Sequence, residues 1–492
     1  MDALTDFFSD VSSVVWGPYL LIPLLLLTGL YLTLRLRGIQ FRTLGSAFRL
    51  GIIERKDAGA EGTADITQYE ALATALAATV GTGNIVGVAT AIHMGGPGAL
   101  FWMWITGLVG MASKYAEGFL AVRFRTRDRK GKRNGGPQYY LARGMSARFN
   151  GHKAAKIGGG ILAIAFSIFT VLASFGIGNM TQANSISANI KDSFGVPVAI
   201  TGIVLVVLVA IVLLGGIKSI ARVASGLVPL MIIFYVGAAI LILLINVGDL
   251  PSALGMIFTD AFTGTSAAGG FTGSGFILVL QFGVARGIFS NESGLGSAPI
   301  AAAAAETTHP VRQGLVAMTQ TFIDTIIVVT MTGLVIITTG AWKGGDAAIM
   351  TAAGFSKGLP GDWGNYIVAI AVALFAYSTL LSWSYYGDRT AERLFGWRVV
   401  PIYRIIFTAV VFVGATSELE VVWNFSDVMN GLMALPNLIG LVILAGLITR
   451  ETRHYLRYDP KLRATKEEIQ SFMAGRPEED DYLGRVFEGD QS

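Results

Sequence analysis

The amino-acid sequence predicts an all-α integral membrane protein with eleven transmembrane helices. An extra first helix precedes two repeats of five helices, which cross the membrane in opposite directions and each begin with a discontinuous helix. Three observations support this prediction: the composition, the alternation of basic and nearly neutral loops, and two glycine-interrupted apolar segments at matching places in the repeats.

The composition argues against a soluble protein and against most classes of enzyme. Of the 492 residues, 53% are hydrophobic and 14% are charged, and the mean hydropathy is +0.59; soluble domains carry about 25% charged residues. Cysteine is absent, which excludes disulfides and thiolate chemistry, and the four histidines are not spaced as metal ligands. We therefore expect no cofactor and no enzyme. The net charge of +4 comes from loops beside apolar spans, which indicates orientation in a lipid bilayer rather than a nucleic-acid partner.

A bilayer crossing needs about 20 apolar residues, and eleven segments of the chain meet this requirement. The predicted spans are residues 14–34, 67–94, 98–121, 158–187, 198–215, 226–247, 270–300, 312–340, 364–386, 401–417 and 428–449. The span 14–34 is the extra helix, residues 67–247 form the first repeat, and residues 270–449 form the second. Together they make one domain, residues 1–464, and the polar residues 465–492 are predicted to be a weakly ordered tail.

The loop charges predict the orientation. Every odd-numbered span is followed by a basic loop, such as "RFRTRDRKGKRN" after the third. The intervening loops contain only three basic residues, Lys191, Lys343 and Lys357. The positive-inside rule then places the N-terminus outside and the C-terminus in the cytoplasm of a multi-pass protein of the cell membrane.

Two apolar segments contain glycines that a continuous helix would not favour: "ATVGTGNIVG" (residues 78–87) and "FGVARGIFSNESGLG" (residues 282–296). Each glycine weakens a helix by about 1 kcal/mol, and an unpaired backbone group in hydrocarbon costs several kcal/mol. Close helix packing could explain the glycines alone, but not the polar Thr82 and Asn84 between them. Paired interruptions in two oppositely oriented halves are typical of inverted-repeat secondary transporters, whose freed amides and carbonyls bind a carboxylate and a cation.

Polar side chains inside the fourth and ninth spans leave two interpretations open. Asn179, Gln182 and Asn184 either join helices or line a polar cavity. Ser378 and Thr379 either bond to the preceding helical turn or offer hydroxyl oxygens to a cation.

Three ionisable residues, Arg286, Glu292 and Asp324, lie deep in predicted spans, where such groups mark function by default. A structural Arg286–Glu292 pair is the alternative, and Arg286 is the nearest candidate partner for Asp324. Lys114 and Glu117 lie near the end of the third span, and we expect them to reach the membrane surface.

The run "GGPGALFWMWITGLVGMASKYAE" (residues 95–117) closely resembles the signature of the alanine or glycine:cation symporter family. The blocks "NGGPQYYL", "FGIGNM", "RGIFSNESGLGSAPIAAAAA" and "FAYSTLLSWSYYG" are similar to others of that family. The resemblance extends from about Trp16 to Thr449. It implies the leucine-transporter fold and uptake of alanine, glycine or a similar small amino acid coupled to Na⁺.

The same resemblance implies the site residues. Na⁺ would be bound by the carbonyls of Ala77, Val80 and Phe375 and by the hydroxyls of Ser378 and Thr379. Because no carboxylate is among these ligands, Na⁺ is favoured over a proton.

The substrate is expected beside the same break. Its carboxylate would meet Thr82 and Gly83, and the polar side chains of Asn84, Asn179, Gln182 and Thr379 would lie nearby. The ammonium would meet carbonyls near Ile288 and Phe289, while Phe289 and Trp383 would form apolar walls that limit the side chain to about a methyl group.

Two rival functions have distinct signatures. A proton-coupled symporter would need a titratable acceptor in the site, and a cation channel would build its filter by oligomeric symmetry, whereas nothing in this sequence implies an oligomer. An intramembrane enzyme is excluded by the absence of cysteine, paired histidines and a nucleophile motif.

Overall fold

A computed structural model describes residues 2–57, 60, 64–128, 131–263, 275–344, 347–361, 363–417 and 419–474. These residues are almost entirely helical, with one short antiparallel pair of strands, β1 (Thr126–Arg127) and β2 (Arg133–Asn134). The first ten helices are α1 (Asp2–Val15), α2 (Leu21–Arg35), α3 (Ile39–Arg42), α4 (Leu44–Phe48), α5 (Gln68–Thr79), α6 (Val86–Gly95), α7 (Ala99–Arg123), α8 (Pro137–Arg148), α9 (Lys153–Phe194) and α10 (Val198–Leu214). The others are α11 (Gly216–Ile245), α12 (Leu250–Thr263), α13 (Gly275–Asn291), α14 (Pro299–Ala302), α15 (Pro310–Thr338), α16 (Ala347–Gly358), α17 (Trp363–Phe395), α18 (Val399–Thr416), α19 (Leu419–Tyr458) and α20 (Lys466–Ala474).

The helices have the length and apolarity of a multi-pass membrane protein. Among the described residues, six helices are long and apolar enough to cross a bilayer, and a seventh crossing results if the bent pair α5–α6 is counted as one span. Three shorter apolar helices, α2, α10 and α13, match predicted spans as well. The all-α membrane class is therefore confirmed, while the count of eleven crossings stays a prediction.

The helix ends differ from the predicted spans for identifiable reasons. The first span was predicted to begin at residue 14, but α1 ends at Val15 and α2 begins at Leu21, because Gly17 and Pro18 interrupt the helix. The last helix extends well beyond the predicted 428–449, since polar residues continue a helix after the apolar stretch has ended.

Several short helices among the described residues were not predicted: α1, α3, α4, α8, α12 and α16. The tail was expected to be weakly ordered from residue 465, yet Lys466–Ala474 is helical. Residues 475–492, and residues 270–274 of the seventh predicted span, lie outside the described residues.

Helix α7 is the centre around which the candidate site is arranged. It packs along α15 and α13 through small residues, which let the helix backbones approach closely. A Cβ on Gly118 would lie 2.6 Å from the Ala317 Cβ of α15, and a Cβ on Gly283 of α13 would lie 2.6 Å from the Ala99 carbonyl oxygen. Helix α13 also packs along α6 and against residues 82–84, so the end of α13 lies beside the first glycine-interrupted segment.

Both predicted interruptions are present. Helix α5 ends at Thr79, a single 3₁₀ turn spans Thr82–Asn84, and α6 continues at an angle of 60° to α5. Helix α13 ends at Asn291, and a non-helical segment, residues 292–298, precedes α14. We call residues 80–85 the first break and residues 292–298 the second break.

Candidate functional site

Two polar side chains bind the backbone of the first break, one from within the break and one from α9. The Gly81 N–H donates to Asn84 Oδ1 at 3.0 Å, and the Thr82 N–H lies 3.4 Å from Gln182 Oε1 of α9. The Asn84 amide in turn donates to Asp324 Oδ1 of α15 at 2.7 Å. Neutral amides and one carboxylate therefore replace the helical hydrogen bonds that the glycines interrupt.

The glycines are required because other groups approach the backbone closely. A Cβ on Gly81 would lie 2.6 Å from Thr379 Oγ1 of α17, and a Cβ on Gly83 would lie 3.0 Å from the Ser290 Cα of α13. The first break thus contacts α17 on one side and the end of α13 on the other.

Four of the predicted sodium ligands converge at the end of α5. The Ala77 carbonyl oxygen lies 3.1 Å from Ser378 Oγ and 3.0 Å from Thr379 Oγ1, and the Phe375 carbonyl oxygen lies 2.8 Å and 3.1 Å from the same hydroxyls. We call these four oxygens the oxygen cluster. All four residues are buried. Both hydroxyls also bond to the preceding turn, as the alternative interpretation predicted.

Val80, the fifth predicted ligand, is buried beside this cluster, and its N–H bonds to the Leu76 carbonyl at 2.8 Å. No hydrogen bond among the described residues connects its carbonyl to the cluster. The oxygen cluster consists of neutral oxygen atoms, which are suitable ligands for a hard monovalent cation. Among the described residues, no group of three or more His, Cys, Asp or Glu could hold a metal ion.

Two predicted substrate residues keep a buried polar atom without a hydrogen-bond partner: Thr82 Oγ1 and Asn179 Oδ1. The Asn179 amide donates to the Phe407 carbonyl of α18 at 2.7 Å, and the Gln182 amide donates to the Ile177 carbonyl at 2.9 Å. Asn184 donates to the Gly414 and Ser417 carbonyls and so joins two helices. Asn179 and Asn184 therefore join α9 to α18, as one interpretation predicted, while the lining of a polar cavity stays a prediction.

Glycines and an acidic side chain shape the second break. Glu292, Gly294 and Gly296 all have a positive φ, of 55°, 87° and 87°. The Glu292 N–H donates to the Ile288 carbonyl at 2.8 Å, so that carbonyl, expected to meet the substrate ammonium, already has one partner.

The two predicted apolar walls have different surroundings. The Phe289 ring stacks on Trp423 of α19 at 5.3 Å between centroids, and its edge would lie 3.2 Å from a Cβ on Gly83. Trp383 is fully buried, lies against Gly178, and donates its indole N–H to Glu292 Oε1 at 2.9 Å. Phe289 therefore faces the first break, whereas Trp383 donates a hydrogen bond to Glu292 of the second break.

The ion pairs predicted for Arg286 are wrong. Its guanidinium binds Asp427 of α19 at 3.1 Å and lies over the Phe289 and Trp423 rings, at 5.5 and 5.8 Å from their centroids. Glu292 turns away from Arg286 because its backbone leaves the helical region. Its carboxylate accepts from Trp383 and, at 2.5 Å, from the Ser297 hydroxyl.

Asp324 connects the first break to the end of α13. Its carboxylate accepts from Asn84 of the first break, from Ser290 Oγ at the end of α13 at 2.9 Å, and from Thr325 Oγ1 at 2.9 Å. The sequence marked Asp324 as functional by its depth, but its partners belong to elements distant in the chain and gave no sequence signal.

Lys114 and Glu117 were expected at the membrane surface, and this expectation is wrong. Their side chains are 1% and 0% exposed, respectively. Glu117 Oε1 accepts the Gly296 N–H at 3.0 Å and the Asn437 amide of α19 at 2.7 Å. Two opposite charges three residues apart on one helical face were the available signal.

An interrupted helix with converging neutral oxygens, next to a second interrupted helix, defines the class of secondary active transporters. The chain belongs to the sodium:alanine symporter family, whose model matches residues 1–470. It is 49% identical to the "Sodium/alanine symporter AgcS" of Methanococcus maripaludis, over 92% of this chain and 97% of that one. It is 35% identical to the "Probable sodium/glutamine symporter GlnT" of Bacillus subtilis, over 91% and 89% of the two chains. The family and these relatives are transporters, and the protein is not an enzyme.

A solved structure shares the fold. The crystal structure of MhsT in complex with L-phenylalanine matches with a TM-score of 0.51 at 13% sequence identity, over 81% of this chain and 99% of that one. The protein therefore has the leucine-transporter fold that the sequence resemblance implied.

Proposed function

We propose that the protein is a Na⁺-coupled symporter that carries a small neutral amino acid, alanine or glycine, into the cell by alternating access. The oxygen cluster is the observation that carries this proposal: Ala77 on the interrupted helix and Phe375, Ser378 and Thr379 on α17 bring four neutral oxygens together. A cation that binds there joins the first break to α17. Its presence or absence can therefore bias how these two elements pack.

The substrate carboxylate is placed at the first break. The Thr82 hydroxyl is buried without a partner, and the positive end of α6 begins directly after the turn. The distance from the oxygen cluster is short, since the Gly81 Cα lies next to the Thr379 hydroxyl. Substrate and Na⁺ would thus bind to the same interrupted helix, which couples the two affinities.

The orientation and the repeat layout belong to the same proposal. Eleven crossings with the N-terminus outside agree with the loop charges, and the packing of the end of α13 against the first break supports two halves of opposite orientation. Inward Na⁺ movement would then drive uptake.

Alanine and glycine are proposed over larger substrates because Phe289 lies against the first break and its opposite face is held by Trp423. A ring fixed on both sides leaves little room for a long side chain. The glutamine named for the Bacillus subtilis relative makes substrate size the feature to test first.

A proton-coupled symporter is the second candidate, favoured by one observation: the Asp324 carboxylate accepts hydrogen bonds from Asn84 of the first break and from Ser290 at the end of α13. A channel lacks comparable support, because interrupted helices in both halves suit alternating access rather than a continuous pore.

Uptake by purified protein in liposomes tests these proposals. Radiolabelled alanine, glycine, glutamine and leucine are offered under an inward gradient of Na⁺, of Li⁺ or of protons. We expect saturable alanine or glycine uptake with Na⁺ alone. Uptake driven by a proton gradient without Na⁺ would establish the second candidate, and non-saturable Na⁺ flux without an amino acid would establish a channel.

A further inference from the structure

A buried lysine lies between the two breaks, away from the oxygen cluster. Lys114 is on α7, its side chain is 1% exposed, and its ammonium lies 3.9 Å from Glu117 Oε2. Neither of these two atoms has a hydrogen-bond partner among the described residues. A lone ammonium in a membrane interior is costly, so a partner of opposite charge must hold it there.

The other oxygen of Glu117 holds the second break. It accepts the Gly296 N–H and the Asn437 amide, and Asn437 also donates to the Gly294 carbonyl at 2.8 Å. A carboxylate accepts such bonds strongly only while it is ionised, and an ionised carboxylate at this depth needs a nearby positive charge. Among the ion pairs of the described residues, Lys114 is the cation that Glu117 meets.

On its other side, Lys114 approaches α5, the helix that precedes the first break. It lines a cavity of about 10 Å³ together with Ala75 of α5 and with Gln313 and Gln320 of α15. Both glutamine Oε1 atoms are buried without a partner, and the Gln320 amide donates to the Ala75 carbonyl at 3.3 Å and to Thr79 Oγ1 at 3.2 Å. One water molecule fits this volume, and it could accept from Lys114 and donate to both glutamines.

We propose that Lys114 is a positioning residue for transport, which keeps Glu117 ionised against the second break and, through one bound water, holds Gln320 against the last turn of α5. Lys114 does not touch substrate or sodium: the cavity is lined by Ala71 and Ala75, whereas Ala77, which carries the oxygen cluster, projects from the opposite side of α5. Its charge instead fixes the second break and the last turn of α5, which precedes the proposed binding sites.

A charge-neutralisation cycle tests this proposal, which rests on the proposed function. The variants are Lys114→Met, Glu117→Gln, the double variant that carries both, and the exposed Lys156→Met as control. Glutamine at 117 keeps an oxygen for the Gly296 N–H and the Asn437 amide. Removing one member of a buried pair leaves the other charge unpaired, while removing both does not.

We expect each single variant to lower alanine uptake per folded transporter about tenfold and to raise the Na⁺ concentration for half-maximal uptake. The double variant should return to within about threefold of the wild type. The half-saturation concentration separates positioning from stability, because mere loss of folded protein lowers total uptake and leaves that concentration unchanged. Lys156→Met should match the wild type.

Three results would overturn the proposal: single variants with wild-type uptake, a double variant as impaired as either single one, or a double variant that does not fold. The last counts against it because neither charge of the Lys114–Glu117 pair remains in that variant. If Lys114→Met alone fails to fold while the double variant folds and transports, the pairing is supported. Failure of the proposed function is distinguishable, since it appears as absent Na⁺-driven uptake by the wild type.

Discussion

The two breaks of this transporter are stabilised in opposite ways. The first is short and is held by neutral amides from Asn84 and Gln182, with the Thr82 hydroxyl left without a partner. The second is longer and is held by the carboxylate of Glu117 and by Asn437, and two of its glycines have a positive φ.

This difference indicates that the two breaks have different functions. A segment with free polar groups can exchange its own hydrogen bonds for those of a ligand at little cost. A segment whose amides and carbonyls are bound by buried ionic and amide side chains is fixed in one conformation. We infer that the first break binds the ligands and that the second break is a rigid support for it. Glycine substitutions in each break test this inference.

The largest effect is expected for Gly296→Ala in the second break. Its φ of 87° is unfavourable for alanine, and the new Cβ would lie 2.7 Å from Pro137 Cγ and 2.8 Å from a Phe166 ring carbon. Backbone strain and overpacking together should lower stability by about 2–4 kcal/mol. Thermal unfolding in detergent measures this loss as a lower melting temperature.

Gly81→Ala is the matched variant in the first break. Its Cβ would lie 2.6 Å from Thr379 Oγ1, the end of a side chain that can rotate, so the fold should tolerate it better. We expect a nearly unchanged melting temperature and loss of Na⁺-dependent uptake. Equal destabilisation by both variants would remove the distinction between the breaks.

The next largest effect is expected for Asp324→Asn. The variant replaces a carboxylate that accepts hydrogen bonds from Asn84 of the first break and from Ser290 of α13, and each hydrogen bond to a charged group contributes about 1.5–3 kcal/mol. We expect uptake to fall about tenfold or more, which corresponds to the loss of one such bond. Uptake under Na⁺ and under proton gradients is the measurement.

Arg286→Gln should not rescue Asp324→Asn, because Arg286 binds Asp427 instead. The comparison pair is Arg286→Gln with Asp427→Asn, in which both members of the ion pair are neutralised together. Recovery of uptake in the double variant with Asp324→Asn and Arg286→Gln would show that the partners of Arg286 change during transport.

How far the sequence predicts this site depends on whether a contact is local. Glycine, threonine and asparagine inside an apolar run were enough to locate the first break, and the pair Ser378–Thr379 located the hydroxyls. The bonds of Asp324 to Asn84 and Ser290, and of Arg286 to Asp427, could not be predicted, since each partner lies more than 30 residues away in the chain. Lys114 and Glu117 were misplaced because residues near a span end usually reach water, whereas here Asn437 and the second break cover them.

A smaller effect is expected for Thr379→Ala. One of the two hydroxyls of the oxygen cluster is lost, and Ser378 and the two carbonyls remain. We expect the Na⁺ concentration for half-maximal uptake to rise about tenfold, corresponding to about 1.4 kcal/mol, with the melting temperature nearly unchanged. Thr408→Ala is the control, because Thr408 makes the same bond to its preceding turn on α18, away from the breaks. An unchanged Na⁺ dependence in folded Thr379→Ala would remove this residue from the ion site.

The smallest effect, a change in substrate rank order, concerns the two aromatic walls. A small amino acid gains only about 0.8 kcal/mol per buried CH₂, so selectivity must come from excluding larger side chains, at about 1–3 kcal/mol for overpacking. Phe289→Ala opens space between the first break and Trp423 and should admit valine or leucine while weakening alanine. Trp383→Ala should change the rank order in the same direction. It also removes a hydrogen bond to Glu292 and the contact with Gly178, so it should lower the melting temperature as well. Competition by unlabelled amino acids against alanine uptake measures the rank order of both variants. If Phe289→Ala keeps the wild-type order, the size limit lies elsewhere in the cavity, and the first break binds its substrate without this ring.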